Sequence, residues 1–354
     1  MILAKANYKR IMKIVALEEH FVPRQVSDAW KATAAIQDFT VSMNSSQYAR
    51  QLEDLEGIRI QAMDDAGIDV QVLSLPSPGV QNFEPADAIS IARDFNDILK
   101  GAIVNRPDRF DGFATLPAPA PAAAAKELQR AVQELGLKGA LLNGRVRERN
   151  MDHRDFNQIY EAAEALGAPL YLHPQLPPAG VREAYYTGIG DVADIMLSMG
   201  AIGWHYETGI QLLRMVLGGV FDRYPKLQVI VGHWGEVILF YLDRIAQLNH
   251  AGLKLQRPIA DYFKQNVYYT PSGIFSQHYF SRTIEIVGAD RMMFSQDWPY
   301  QSSIDKGARA FLEQTALSGE EKEAIAHRNW DLLVSGIRSG SDDTSHLGKH
   351  HGQY

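Results

Sequence analysis

The stretch Ile14-Val15-Ala16-Leu17-Glu18-Glu19-His20 decides how the rest of the chain is read. Its first four residues are apolar and two are β-branched, which makes residues 14–17 a short buried strand. A doubly wound dinucleotide-binding sheet needs a glycine-rich turn after its first strand, so that the backbone can approach a phosphate. Two carboxylates and an imidazole stand there instead. In an extended chain, side chains two residues apart share a face, so Glu18 and His20 can converge on one point while Glu19 faces away.

Outward from this strand, short β-branched runs alternate with amphipathic stretches, the rhythm of parallel β/α units. Further strands are predicted at 70–75, 110–116, 139–143, 169–173, 227–232, 267–270 and 291–295. Leu52, Leu55, Ala62, Met63 and Ala66 mark a helix face stopped by Gly67, and Ala88, Ile91, Ala92, Phe95 and Leu99 mark another. Eight strands in this order predict an α/β fold of the closed (β/α)8 TIM-barrel type, for which about 250 residues is typical. The Ala/Pro run 117–125 reads as a βα loop entering an alanine-rich helix. Residues 12–336 are then one barrel domain. Residues 1–11, ahead of Met12, read as a leader or alternative start, and 337–354, rich in Ser, Gly, Asp and His, as a flexible tail.

Composition narrows the chemistry. The 354 residues include 42 acidic and 35 basic ones, a net charge of −7, which excludes a generally basic nucleic-acid binder. No apolar run approaches the roughly 20 residues of a membrane-spanning helix, and Arg214 interrupts the longest candidate. Residues 1–10 lack the apolar segment of a secretory signal, so a cytoplasmic enzyme is expected. The absence of cysteine removes disulfides, thiolate nucleophiles, cysteine-ligated zinc and iron–sulfur clusters. Any metal must rest on imidazole and carboxylate.

In a barrel, residues ending the strands point into a shared mouth. Four strands end on such groups: Glu18 and His20 after the first, His173 after the fifth, His233 after the sixth, and Asp297 after the eighth. Glu18, His20, His173 and Asp297 together offer two imidazoles and two carboxylates, a set suited to zinc or manganese, with the second carboxylate favouring manganese. His233 either completes the set or stands beside the ion as an acid or base. Taken singly, each has a bland reading: a satisfied structural histidine, a helix N-cap or turn aspartate, a solvated Glu-Glu-His turn. Their concurrence at separate strand ends decides for the metal site. His153, His250, His278 and His327 read as structural or surface residues, His205 as touching the mouth or an interface, and His346, His350 and His351 as tail residues.

The segments Glu18-Glu19-His20-Phe21, Tyr171-Leu172-His173-Pro174, Gly232-His233-Trp234-Gly235-Glu236 and Phe294-Ser295-Gln296-Asp297-Trp298-Pro299, with Asn105-Arg106-Pro107-Asp108-Arg109-Phe110 and Gly139-Ala140-Leu141-Leu142-Asn143-Gly144, resemble the metal-dependent decarboxylase branch of the amidohydrolase superfamily. The resemblance runs in order over residues 13–334 and points toward γ-resorcylate and 2,3-dihydroxybenzoate decarboxylases. Many relatives open with His-x-His; Glu18-Glu19-His20 is the variant of the hydroxybenzoate decarboxylases. The resemblance implies that Glu18, His20, His173 and Asp297 hold one divalent ion (manganese or zinc), with His233 and Glu236 as a polar pair beside it and no organic cofactor. It also implies that Arg244 and Asn249 contact substrate or complete the site across subunits of a homo-oligomer, a dimer or tetramer. The reaction it implies is the reversible, non-oxidative decarboxylation of a hydroxylated benzoate.

That chemistry needs a proton on the carbon bearing the carboxylate before carbon dioxide can leave, and Asp297 is the expected donor, with His233 and Glu236 as the other catalytic groups. His233 and Glu236, three residues apart, share a face if the turn after the sixth strand is helical. The long loops 21–48 and 174–190 are the expected lid, with Phe21, beside His20, as the aromatic expected to stack on the ring. Asn143 and Arg145 end the fourth strand, as substrate contacts or as a plain turn. The alternative function is a metal-dependent hydrolase of the same superfamily, in which metal-bound water attacks an amide, lactone or carbon–carbon bond.

Overall fold

The apolar run that opens the chain forms β1 (Val15–His20), and it pairs in parallel with β2 (Val70–Ser74), which pairs in parallel with β3 (Phe110–Gly112). A second parallel sheet runs through β4 (Ala114–Thr115), β5 (Ala140–Leu142), β6 (Leu170–Leu172), β7 (Val229–Val231) and β8 (Val267–Tyr269). The computed structural model describes residues 12–33, 38–301 and 307–338. The expected leader and the tail from 339 onward, with its three histidines, lie outside them.

The strand predicted at 110–116 is therefore one stave in two ladder pieces. At its centre, the Phe113 N–H bonds Leu73 O at 2.9 Å, and on the other side the Lys138 N–H bonds Gly112 O at 2.9 Å. The stave predicted at 291–295 has no full ladder. It closes the ring through isolated parallel bridges, Met292 with Tyr269 and Phe294 with Ala16, and the Leu17 N–H reaches Phe294 O at 3.0 Å. The eight staves form the closed barrel that the sequence predicts.

Val15, Leu17, Val72, Phe113, Leu141, Tyr171, Ile230 and Met293, from seven of the eight staves, fill the interior, with the half-buried Tyr268 of β8 packed against them and Trp330 of the helix Asn329–Ser335 set edge-on to Phe113. Strict alternation from Val15 and Leu17 would turn Glu19 inward. A bulge between Ala16 and Glu19 shifts the register instead, so Glu18 and His20 face the mouth.

Outside the staves the helices bury their apolar stripes. Pro85–Asn105 buries Ala88, Ala92, Phe95 and Leu99 as the spacing predicts, and Ile58–Ala66 ends on Gly67 at φ 73°, the left-handed cap that glycine adopts freely. The expected helix through Leu52 and Ala66 is divided, with Ala49–Glu53 and Ile58–Ala66 separated at Asp54 and Gly57. The Ala/Pro run does enter a helix, Pro121–Gln133. Among the described residues no helix is long and apolar enough to cross a membrane.

Candidate active site

The bulged end of β1 delivers Glu18 and His20 to the mouth, where His173 arrives from β6 and Asp297 from the closing stave. Glu18 Oε1 lies 3.4 Å from His173 Nε2, and His20 Nε2 lies 3.3 Å from Asp297 Oδ1. The ligand atoms of Glu18, His20 and His173 all lie within 4.8 Å of one another. Glu18 Oε1 and His20 Nε2 are buried and have no hydrogen-bond partner, an arrangement that costs free energy unless something else satisfies them.

The far sides of these groups are held by the protein. Tyr171 donates its hydroxyl to Glu18 Oε2 at 2.7 Å, Ser272 donates to the same oxygen, and Ser74 Oγ lies 3.2 Å from His20 Nδ1. His173 Nδ1 is 3.0 Å from the Pro174 carbonyl, an acceptor only, so the proton sits on Nδ1 and the Nε2 lone pair faces Glu18. Burial pulls His20 well below the ordinary histidine range and His173 down to about 3, which leaves both imidazoles neutral and able to ligate a metal. Burial pushes Glu18 up and pushes Asp297 up to about 8 against the pull of His233. Glu18 and the two neutral imidazoles around one point, with orphaned Oε1 and Nε2 atoms among them and Asp297 beside His20, fit a divalent cation. Gly232 lies on the far side of Glu18, where a Cβ would stand 2.4 Å from Ser272 Oγ and 2.8 Å from Glu18 Oε2.

His233 and Glu236 pair as expected, with Nδ1 to Oε1 at 2.8 Å, but not on a right-handed helix. His233, Trp234, Gly235, Glu236 and Val237 all have positive φ, from 48° to 84°, a left-handed turn that L residues enter at a cost of roughly 1–2 kcal/mol each. The turn directs His233 Nε2 toward Asp297 Oδ2, 3.9 Å away. Glu236 is fully buried, and its second oxygen meets His205 Nδ1 at 2.7 Å. Burial pushes Glu236 up, but the two histidines outweigh it and hold the carboxyl down at about 2. Burial works against charge on His233 as well, yet Glu236 and Glu18 hold it well above its ordinary value.

The mouth is lined by Thr40, Met43, Ser77, Trp204 and Tyr300 around His173, His233 and Asp297. The first loop contributes to this lining through Thr40 and Met43. The expected stacking aromatic does not: Phe21 is 3% exposed, packs 6.1 Å from Phe95 and belongs to the core, because the chain turns outward after His20. Trp30 is likewise an anchor, donating to Gly79 O at 2.8 Å, while Phe39 and Tyr185 are exposed. Arg244 and Asn249 do not join the centre within the chain. Arg244 is exposed and bonds Gln247, and Asn249 accepts from the Ile259 N–H at 3.0 Å, bracing the start of the helix Ile259–Gln265. Asn143 accepts from Ser77, and Arg145 faces Glu207 at 3.2 Å.

Three contributors escaped the sequence reading. Tyr171 had a signal, since it lies two residues before His173 on a strand and so shares its face. Ser272 and Tyr300 sit in loops whose path no periodicity reveals. His205, expected at the mouth or an interface, sits on the helix Gly203–Leu217, and the docking of that helix against the left-handed turn brings it to Glu236.

A closed β/α barrel presenting Glu, His, His and Asp at its strand ends, with a histidine–carboxylate pair beside them, defines a metal-dependent barrel enzyme. The chain belongs to the amidohydrolase family, whose model matches residues 19–329. It is 35% identical over 330 residues to the γ-resorcylate decarboxylase of Polaromonas sp. strain JS666, covering 89% of this chain and 96% of that one. The dihydroxybenzoic acid decarboxylase structure from the same strain, with bound manganese and the inhibitor 2-nitroresorcinol, superposes with a TM-score of 0.80 at 32% identity, over 91% of this chain and 97% of that one. The 5-carboxyvanillate decarboxylase of Sphingomonas paucimobilis does so with a TM-score of 0.84 at 29% identity, over 92% and 100%.

Proposed function

We propose that this chain is a carboxy-lyase that removes carbon dioxide from a hydroxylated benzoate, reversibly and without oxidation. The observation that carries the reading is the position of Asp297, with Oδ1 on His20 at 3.3 Å and Oδ2 toward His233 at 3.9 Å, so that one carboxyl spans the cation site and the histidine pair. The decarboxylase relatives support it.

Glu18, His20, His173 and Asp297 would hold the metal, with manganese favoured over zinc by the oxygen-rich set and by the manganese in the dihydroxybenzoic acid decarboxylase. When bound, the ion supplies positive charge that orients the substrate carboxylate and an ortho hydroxyl. Asp297 gives its proton to the ring carbon bearing the carboxylate. The bond to the carboxylate then breaks, its electrons return to the ring, and carbon dioxide leaves; Asp297 ends as a carboxylate, and one solvent proton restores it. His233, oriented by Glu236, faces Asp297 Oδ2 and manages that proton. Met43, Trp204 and Tyr300 enclose the ring and exclude water.

The reading takes residues 12–336 as one catalytic domain of a cytoplasmic homo-oligomer. Its support for assembly is the exposed apolar set Tyr185, Ile189, Val192 and Met196, on and between the helices Ala179–Tyr185 and Asp191–Met196 after β6, together with Phe240 and Tyr241 next to Arg244. A partner seated there gives Arg244 and Asn249 a route to substrate that the single chain does not.

The test is a panel of dihydroxybenzoates and 5-substituted hydroxybenzoates with chelated and manganese-loaded protein, scored for carbon dioxide. Metal-dependent release from at least one member supports the reading. No release from any member, with incorporation of labelled water oxygen into an ester, lactone or amide product, replaces it with the hydrolase.

A further inference from the structure

Behind the metal ligands the barrel wall carries a second set of ionisable groups that the reaction does not use. Glu19, Gln71 and Arg59 are each fully buried. Glu19 Oε1 accepts from the Gln296 N–H at 2.7 Å, and Oε2 accepts from the Gln71 amide nitrogen at 2.9 Å. The Gln71 carbonyl oxygen accepts from Arg59 Nη1 at 3.0 Å, and Arg59 Nη2 donates to the His20 carbonyl. Arg59 Nε donates to Asp54 O at 2.9 Å, and the guanidinium stands 5.9 Å from the Trp298 ring centre.

The chain of bonds has only one polarity. A guanidinium only donates and a carboxylate only accepts, so Gln71 must turn its oxygen to Arg59 and its nitrogen to Glu19. As a stability device this is poor, because Glu19 and Arg59 are buried without touching each other, and buried charged groups are often no better than apolar residues of the same volume. Its two ends explain it better. One ends on the carbonyl of His20 itself, and the other on the N–H directly before Asp297. These two ligands stand on either side of the seam where the barrel closes by bridges, with the His20 N–H on Trp298 O at 2.9 Å.

We propose that Glu19, Gln71 and Arg59 form a positioning brace that fixes the separation of His20 and Asp297 and thereby sets the affinity of the metal site. The inference rests on the metal-site reading above. Outer partners of metal ligands typically contribute about 10- to 100-fold in affinity.

The experiment titrates manganese alone into the metal-free full-length protein and its variants at low temperature, with free manganese read by electron paramagnetic resonance and folding by circular dichroism. Gln71→Met and Arg59→Met are expected to weaken manganese binding about 10- to 100-fold and to change the spectrum of the bound ion. Arg59→Lys is expected to fall in between, since one ammonium keeps the charge but cannot span Gln71 and the His20 carbonyl as the fork does. Gln71→Asn, which keeps both polar groups on a shorter arm, provides the measurement if the methionine variants do not fold. Lower melting temperatures with wild-type manganese affinity in the folded variants would overturn the brace and leave the metal site standing. Failure of the wild-type protein to bind manganese would overturn both.

Discussion

His205 Nδ1 lies 2.7 Å from Glu236 Oε2, on the opposite oxygen of the carboxylate that holds His233. His205, on the helix between β6 and β7, thus reaches His233 through one shared carboxylate. His205→Ala is expected to lower kcat about 10- to 100-fold, with KM changed much less and manganese content unchanged. Steady-state kinetics on metal-quantified protein measure this, and loss of metal in step with activity would assign His205 a different part.

The Tyr171 hydroxyl joins Glu18 to Thr270 Oγ1, at 2.7 and 2.8 Å. Tyr171→Phe leaves the ring in the barrel core but removes one of the two hydroxyls that hold Glu18 Oε2. The expected result is manganese binding weakened about tenfold and a stability loss of about 1 kcal/mol, read by titration and by urea unfolding.

Gly232 admits no side chain, since a Cβ would stand within 2.8 Å of both Ser272 Oγ and Glu18 Oε2. Gly232→Ala must push Glu18 off its position. Manganese binding is expected to be lost, and overpacking is expected to destabilise the fold by about 1–3 kcal/mol. Calorimetric titration and thermal melts give the two values separately.

Far from the site, burial pushes Asp111 on β3 up to about 6, against the pull of Lys138, Lys13 and Lys100. The folded protein therefore holds this proton more tightly than the unfolded chain. The associated stability is full below the ordinary aspartate value and is lost as the pH rises through about 6. Asp111→Asn keeps the acceptor for the Gly112 N–H without a charge to bury. Its melting temperature is expected to exceed that of the wild type at pH 8 by more than at pH 5. An equal difference at both pH values would contradict the shift.

The barrel was legible because its staves are short apolar runs separated by helix-period stretches, and Glu18, His20, His173, His233 and Asp297 stood out because each ends such a run. What lay hidden depended on local departures from regularity. The β1 bulge lets Leu17 and Glu18 both face inward, which strict alternation forbids. The left-handed turn from His233 to Val237 replaces the expected helical turn at the same residue spacing. Phe21 sits next to His20 in sequence, but the chain leaves the mouth there and buries it against Phe95. Tyr300 reaches the site on a loop that leaves no periodic trace, and His205, expected at the mouth or an interface, finds its partner Glu236 only through the docking of its helix.

The most direct test of the central claim follows the ring proton. With manganese-loaded protein turning over a reactive dihydroxybenzoate in deuterated water, nuclear magnetic resonance of the product is expected to show one deuterium at the carbon that carried the carboxylate, formed by the wild type and not by Asp297→Asn. Product formed at the wild-type rate by Asp297→Asn, or release of carbon dioxide that persists undiminished after chelation, would contradict it.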